Sequence, residues 1–171
     1  MHSRYSNLFV WNDQKVEDVR FWCEPKLTVE AIGLVREHFD LSTIDGFVGI
    51  EARGFYLAGV ASVVFELPVV MVRKHKKFYE EMAHERVEFK NWKAETESLT
   101  LIKESQPDVR KVLVIDDILD TGASLAATTE LLKKAEIEIC GAYYLLDSLG
   151  AESGRKFQFP IESLLTRKLF S

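Results

Sequence analysis

One stretch of the chain, V-L-V-I-D-D-I-L-D-T-G-A-S, places three kinds of polar group directly after an apolar run. Asp116 and Asp117 supply adjacent carboxylates, which suit a diol or a magnesium ion because both take oxygen ligands. Thr121 and Ser124 supply hydroxyl donors, and Gly122 between them permits backbone angles that side chains forbid. The turn therefore has the parts of an anion cradle. The carboxylates repel anions, so the motif predicts a ligand with two chemically different ends.

The elements around this motif are predicted to aim it at that ligand. The apolar residues 112–115 do not alternate with polar ones, which indicates a parallel strand covered on both faces. Residues 124–135 follow as a helix whose free N–H groups and positive dipole end point at the turn. In open parallel sheets, ligands bind beyond the carboxyl ends of the strands. A phosphate on the turn and hydroxyls on the aspartates imply a ribose 5-phosphate, provided that Gly122 is not packed inside and its amides are free.

The composition is that of an ordinary globular protein and argues against several classes of protein. The 171 residues are 47% hydrophobic and 29% charged, which suits one domain over residues 1–171. No segment approaches the roughly 20 apolar residues of a membrane helix, and the residues Met1 to Arg4 lack the apolar core of a secretion signal. The net charge of -5 argues against nucleic acid as a partner. The two cysteines, Cys23 and Cys140, are expected to be reduced thiols in a cytoplasmic protein.

Alternating helix and strand patterns predict an α/β fold: a single domain with a mainly parallel central sheet flanked by helices. Helices are expected at residues 28–39, capped by Thr28, and at 55–65 and 124–135. Strands are expected at 47–50, 69–72, 98–102, 112–116 and 139–146, with a weak signal at 87–89 and a short run in the tail at 161–165. Residues 1–26 are aromatic-rich and irregular, and they form either a short added element or a hood over a site.

The D-D-x-x-D-T-G-x-S motif resembles the signature of the type I phosphoribosyltransferases, in which this strand, loop and helix bind phosphoribosyl pyrophosphate. A surface turn with scattered acids is the alternative, but it leaves the apolar strand before the acids unexplained. The resemblance implies that Asp116 and Asp117 hold the ribose hydroxyls and the associated Mg²⁺. It also implies that the 5-phosphate is wrapped by Asp120, Thr121, Gly122, Ala123 and Ser124.

A second motif, V-G-I-E-A-R-G-F at Val48 to Phe55, again runs from a short apolar strand through a turn into a helix. Taken alone, Glu51 and Arg53 could form an ordinary ion pair. The E-A-R-G-F string resembles the adenine branch of the family, in which this loop approaches the pyrophosphate. The resemblance implies that Arg53 is a catalytic residue.

A basic cluster, R-K-H-K-K, follows one of the predicted strands. Such clusters often serve only to keep a strand edge from pairing. This one also resembles the family's R-K-x-x-K-L-P stretch. The likeness implies that Arg73, Lys74 and Lys77 neutralise the leaving pyrophosphate.

The polar segment 74–97 resembles the family's flexible catalytic loop, which closes over the reaction and excludes water. Its V-E-F string resembles the L-E-Y core whose glutamate touches the purine, so Glu88 is a candidate acid or base; the alternative is one exposed glutamate among many. Asp120 is the other candidate for handling the purine proton. Near the N-terminus, Val19-Arg20-Phe21 resembles the F-R-D element, and Phe21 is predicted to stack against the base.

These likenesses cover about residues 44–165 and imply a purine salvage enzyme. It would transfer the 5-phosphoribosyl group from phosphoribosyl pyrophosphate to adenine, giving AMP and pyrophosphate. The expected partners are these small molecules, with Mg²⁺ bound alongside phosphoribosyl pyrophosphate, and no nucleic acid or membrane. The resemblance also implies a cytoplasmic homodimer.

Two alternatives stay open. The adenine branch usually has alanine where this chain has Asp120, and aspartate there is typical of enzymes for 6-oxopurines, so hypoxanthine or guanine could be the acceptor. Other relatives sense phosphoribosyl pyrophosphate and control transcription without catalysis. Those regulators carry an added DNA-binding domain or a basic RNA-binding face, whereas this chain is acidic.

Overall fold

The computed structural model describes residues 2–12, 15–76, 81–82, 84–91, 93–149 and 156–166. The strands in these ranges are β1 (Phe9–Asn12), β2 (Lys15–Val19), β3 (Gly46–Ile50), β4 (Val69–Lys74), β5 (His84–Lys90), β6 (Thr96–Ile102), β7 (Lys111–Leu119), β8 (Glu138–Asp147) and β9 (Ile161–Thr166). The helices are α1 (His2–Tyr5), α2 (Pro25–Gly33), α3 (Val35–His38), α4 (Arg53–Phe65) and α5 (Ala123–Lys134). None of these helices is long and apolar enough to span a bilayer.

The larger sheet of the described chain has the strand order β5-β6-β4-β3-β7-β8-β9. Every pairing from β4 through to β9 is parallel, and the antiparallel hairpin β5–β6 extends the β4 edge. Strands β1 and β2 form a separate antiparallel hairpin. The predicted α/β domain with a mainly parallel sheet flanked by helices is confirmed.

The central strand β7 is buried on both faces, as its unbroken apolar run predicts. Leu113 and Ile115 share one core cluster with side chains of α2 and α4. Val112 and Val114 point to the other face and share a second cluster with Leu131 of α5. Helices therefore cover the sheet on its two sides, with α4 on one and α5 on the other.

The order of the strands creates a crevice next to β3. The chain leaves β3 through α4 to reach β4 on one side, whereas β7, on the other side of β3, leads into α5 on the opposite face. Helices that diverge to opposite faces leave the carboxyl ends of two neighbouring parallel strands uncovered between them. The crevice thus opens where the two sequence motifs end.

The first long helix begins earlier than predicted, and Thr28 is not its cap. Helix α2 starts at Pro25, which suits a first helical position because no intrahelical partner awaits its missing N–H. Thr28 is fully buried, and its hydroxyl donates to the Phe21 carbonyl at 2.6 Å. The predicted single helix over 28–39 is also divided, with α3 beginning after Leu34.

Strand β7 runs three residues beyond its predicted end at Asp116. Ile118 and Leu119 remain in register with Leu146 and Asp147 of β8, so the ladder continues past the carboxylates. The aspartates therefore project from a strand, which holds them more firmly than a loop. The irregular N-terminal segment contains the β1–β2 hairpin, and the weak signal at 87–89 is the middle of β5.

Candidate active site

A cavity of about 730 Å³ opens at the carboxyl ends of β3 and β7. This volume lies within the range of small-molecule sites in proteins. Six parts of the chain line it: the β3–α4 turn, residues 116–125, the β1–β2 hairpin, the β5–β6 hairpin, the end of β4 and the end of β8. The structure brings to this cavity nine of the residues predicted from the sequence, namely Arg53, Lys74, Asp116, Asp117, Asp120, Thr121, Gly122, Ala123 and Ser124.

The loop before α5 presents unused backbone donors. Gly122 has φ +73°, the left-handed conformation that glycine adopts at little cost. Within the described part of the chain, no group accepts a hydrogen bond from the amides of Thr121, Gly122, Ser124 or Leu125. These N–H groups lie at the positive end of the α5 dipole, so the loop can hold a phosphate without a lysine in the cavity.

The predicted phosphate site requires that Gly122 is not packed inside and that its amides are free. Only the second requirement is met. Gly122 is buried, because Lys156 Nζ and Phe157 lie 3.2 and 3.3 Å from where a Cβ would stand. That covering lies on one side only, since Gly122 also lines the cavity. The expectation that Gly122 would not be packed inside is therefore wrong, whereas its amide has no acceptor among the described residues.

The two adjacent carboxylates differ in their surroundings. Asp117 is 8% exposed, and its Oδ2 lies 3.2 Å from Arg53 Nη1. Asp116 Oδ1 accepts a hydrogen bond from the Asp117 amide at 3.0 Å. Burial, and then the charge of Asp117, raise the pKa of Asp116 well above the ordinary value. An ionised Asp116 is short of partners here, so hydroxyl donors or a cation would stabilise it.

Arg53 links the Asp116–Asp117 pair to the β1–β2 hairpin. Its Nη2 lies 2.8 Å from Asp18 Oδ1 on β2, while Nη1 contacts Asp117. Glu51 has other partners: its carboxylate accepts from the Lys74 amide at 2.9 Å and lies 3.7 Å from Lys76 Nζ. The alternative of an ordinary Glu51–Arg53 ion pair is therefore not what the structure contains, and Arg53 faces the aspartates of the cavity.

Lys74 reaches the cavity, but Arg73 does not. Side chains alternate between the faces of a strand, so neighbours on β4 point in opposite directions. Lys74 lines the cavity and lies 3.4 Å from Glu97 Oε2, whereas the Arg73 guanidinium lies 5.5 Å from the Phe55 ring centre on the other face. The prediction that Arg73 binds the substrate is corrected accordingly. Lys77 falls outside the described residues.

Glu88 points away from the cavity for the same reason. On β5, Val87 and Phe89 face inward, and Glu88 lies on the exposed face with its Oε1 2.8 Å from Arg86 Nη2. The acid that the hairpin does bring to the cavity is Glu97, which is paired with Phe89 across the strands. The prediction that Glu88 contacts the purine is therefore corrected in this structure.

Phe21 is a core residue and cannot stack on a base. Its side chain is fully buried, with the rings of Trp22 and Tyr56 packed at centroid distances of 4.9 and 5.5 Å. Among the described residues, the aromatic side chains that line the cavity are Trp11, Phe89 and Tyr144. The Trp11 indole N–H donates to the Ser6 carbonyl at 2.8 Å. The alternating string F-V-W-N at residues 9–12 was the signal for a strand that presents this ring.

The donor set of the cavity fits Mg²⁺ only as an ion shared with a ligand. In the ranges that the structure describes, no group of three or more His, Cys, Asp or Glu side chains could hold a metal ion. Asp116 and Asp117 are two hard oxygen donors beside an anion site. Mg²⁺ commonly binds through one or two carboxylates together with substrate phosphates, and these two residues match that pattern.

Comparison with known proteins identifies relatives over most of the chain. The phosphoribosyl transferase domain matches residues 24–158. The chain is 32% identical over 131 residues to an adenine phosphoribosyltransferase of Yersinia pestis, covering 75% of this chain and 68% of that protein. It is 29% identical over 145 residues to one of Prochlorococcus marinus, covering 85% and 83%.

A solved structure agrees with these sequence relatives. The enzyme of Giardia lamblia, crystallised with 9-deazaadenine, superposes with a TM-score of 0.72 at 25% identity, over 85% of this chain and 82% of that one. The matched domain spans the switch-point crevice, the aspartate pair and the loop before α5, residues 120–125, which is called the phosphate loop below. The chain therefore belongs to the phosphoribosyltransferase family, in its type I class, and is most similar to the adenine phosphoribosyltransferases.

Proposed function

We propose that this chain transfers the 5-phosphoribosyl group from phosphoribosyl pyrophosphate to adenine, giving AMP and pyrophosphate in purine salvage. One observation carries the proposal: unused loop amides and the Asp116–Asp117 pair line the same cavity. An anion site beside two diol-binding carboxylates matches the two ends of a ribose 5-phosphate. The relatives named adenine phosphoribosyltransferase support adenine as the acceptor.

The substrate's three parts have separate binding groups in this proposal. The 5-phosphate accepts hydrogen bonds from the amides of Thr121, Gly122, Ser124 and Leu125 at the start of α5. The ribose hydroxyls donate to Asp116 and Asp117, which relieves the unfavourable burial of the Asp116 charge. Arg53 and Lys74, on the β3 and β4 side of the cavity, lie beside the pyrophosphate.

The reaction exchanges one bond at the anomeric carbon for another. The bond from that carbon to the pyrophosphate oxygen breaks with its electron pair leaving on pyrophosphate, and a purine ring nitrogen supplies the pair for the new bond. Positive charge develops on the ribose as the bond loosens, and negative charge develops on the leaving group. Arg53 and Lys74 stabilise the leaving group, and positioning by the phosphate loop supplies much of the remaining acceleration.

Adenine loses a proton from its ring nitrogen when the new bond forms, so the site needs a base. Asp120 lines the cavity and is exposed to it, whereas Glu88 faces the other side of its hairpin. We assign the proton to Asp120. Segment 74–97 and the N-terminal hairpin are proposed to cover the reacting carbon and exclude water, which would otherwise compete with the purine.

The metal, location and assembly follow from the family likeness. Mg²⁺ held by Asp116, Asp117 and the substrate would neutralise charge on the pyrophosphate. The protein is proposed to act in the cytoplasm as a homodimer, a state that light scattering during size-exclusion chromatography measures directly.

A 6-oxopurine acceptor is the second candidate function, because one residue favours it. Asp120 lines the cavity at the position where enzymes for hypoxanthine or guanine carry aspartate, as the sequence resemblance implies. A carboxylate there can accept a hydrogen bond from the ring N–H that 6-oxopurines have and adenine lacks. The experiment below separates the two.

The test is a steady-state assay with phosphoribosyl pyrophosphate, Mg²⁺ and each of adenine, hypoxanthine and guanine. We expect the largest kcat/KM with adenine, with AMP and pyrophosphate formed in equal amounts. A larger value with hypoxanthine or guanine would move the assignment to the 6-oxopurine enzymes. No turnover with any of the three would contradict purine transfer.

A further inference from the structure

Lys156 contacts the phosphate loop from outside the cavity. Its Nζ donates to the Thr121 carbonyl at 2.6 Å, and it lies 3.2 Å from where a Cβ of Gly122 would stand. Lys156 does not line the cavity; with Phe157 it borders a second depression on the other side of the loop. Neither the sequence motifs nor the proposed mechanism gives this lysine a role.

The bonded carbonyl and the Gly122 amide belong to the same peptide unit. In a trans peptide the C=O and N–H point in opposite directions, so an ammonium on the oxygen side fixes the N–H toward the other side. The other side is the cavity, which Gly122 lines. A charged donor on the oxygen also polarises the peptide and strengthens its N–H as a donor to an anion.

Gly122 leaves room for this arrangement only because it has no side chain. Its φ of +73° orients the peptide, and Lys156 and Phe157 fill the space that a Cβ would need. The positive charge of Lys156 thereby lies close behind an anion site without competing for space inside it. The loop gains a cation in a protein whose net charge is -5.

We infer that Lys156 is a positioning residue for the terminal phosphate of the substrate: it holds the Thr121–Gly122 peptide with its N–H toward the cavity and adds positive charge behind it. The inference rests on the proposed function, because it requires an anion on the loop. The role of Lys156 concerns only the phosphate end of the substrate. A general structural role would affect the binding of both ends.

The test is calorimetric binding of ribose 5-phosphate and of pyrophosphate to the wild type and to Lys156→Met. We expect the Kd for ribose 5-phosphate to rise about tenfold, the loss typical of one hydrogen bond to a charged group. The Kd for pyrophosphate should stay the same. Lys156→Arg should restore tight binding, because it keeps both charge and donor.

Lys134→Met is the matched control, since Lys134 also donates to a carbonyl, that of Arg86, but near the far end of α5. It should bind both ligands like the wild type. Should Lys156→Met fold poorly, Lys156→Gln, which keeps a neutral donor, replaces it with the same expected selectivity. Unchanged ribose 5-phosphate binding, or equal weakening for both ligands, overturns the inference. Wild-type protein that binds no ribose 5-phosphate overturns the proposed function itself.

Discussion

Asp116 is the residue at which binding and stability conflict. Its carboxyl packs against Gly54, and a Cβ on that glycine would lie only 2.8 Å from Asp116 Oδ1. The charge of Asp117 lies next to it. Burial first, and that charge second, raise its pKa well above the ordinary value. Active sites often keep such groups because a ligand supplies the missing partners.

The raised pKa gives a direction for stability against pH. The folded state binds the Asp116 proton more tightly than the unfolded chain does, so this contribution is complete below the ordinary carboxyl pKa. It is lost as pH rises through the raised pKa of the folded state. Asp116→Asn should therefore be more stable than the wild type at neutral pH, by on the order of 1 kcal/mol, with little difference in acid.

The measurement is the melting temperature of both proteins, without ligand, from about pH 4 to about pH 8. The gap between them should widen as pH rises, while the variant loses turnover. A constant gap would mean that the carboxyl does not titrate in this range. Asp120→Asn is the control, because Asp120 is exposed at the cavity.

The two candidate bases can be separated by paired variants. Asp120→Ala should lower kcat about a hundredfold, as expected when a general base is removed. Glu88→Ala should leave kcat essentially unchanged, because Glu88 pairs with Arg86 on the exposed face of the hairpin. A larger loss for Glu88→Ala would show that the hairpin presents its other face during the reaction.

Helix α4 carries two glycines in different surroundings, so substitutions at these positions test how closely the helix packs against the aspartate pair. A Cβ at Gly54 would collide with Asp116 and lie 3.2 Å from the Ile115 carbonyl, whereas a Cβ at Gly59 would meet nothing within 4 Å. Gly54→Ala should lower the free energy of unfolding by roughly 1–3 kcal/mol through overpacking. Gly59→Ala should raise it by about 0.5–1 kcal/mol, because alanine favours helix.

Urea denaturation of both variants gives these energies, and the activity separates them further. Gly54→Ala should also reduce kcat, since it displaces Asp116 from the cavity, and Gly59→Ala should not. Equal stabilities for the two variants would contradict close packing of α4 against the aspartate pair.

The β1–β2 hairpin contributes Trp11, one of the aromatic side chains that line the cavity. If adenine stacks there, Trp11→Ala should raise the KM for adenine about tenfold or more, the usual value of one base–aromatic stack. The KM for phosphoribosyl pyrophosphate should not change. Trp22→Ala is the control, because Trp22 is 46% exposed and does not line the cavity. Equal increases in both KM values would contradict the stacking of adenine on Trp11.

Local patterns predicted most elements, and the failures share a physical cause. Unbroken apolar runs identify β3, β4 and β7 because a parallel strand is buried on both faces. The faces taken by Arg73 and Glu88 depend on strand register, which adjacent residues in a motif do not reveal. Phe21 was misplaced because its burial depends on distant residues such as Tyr56 of α4, which only tertiary packing brings to it.

The whole molecule is acidic, yet its proposed substrate is a polyanion. The net charge of -5 would repel phosphoribosyl pyrophosphate if binding depended on the overall field. The topology supplies a local answer, because the start of α5 and the residues Arg53 and Lys74 meet at one switch point. In the proposed complex, uncharged amides bind the phosphate, so the acidic surplus would not prevent binding.

The most direct test of this account follows the backbone amides by ¹⁵N NMR during titration with ribose 5-phosphate. The amides of Thr121, Gly122, Ser124 and Leu125 should shift strongly, because no described residue accepts from them in the free protein. Ala123 is an internal control, since its N–H already donates to Thr121 Oγ1 at 3.3 Å. Ribose without phosphate should leave all five resonances in place. Saturable binding of ribose 5-phosphate with no change at these four amides would contradict the account.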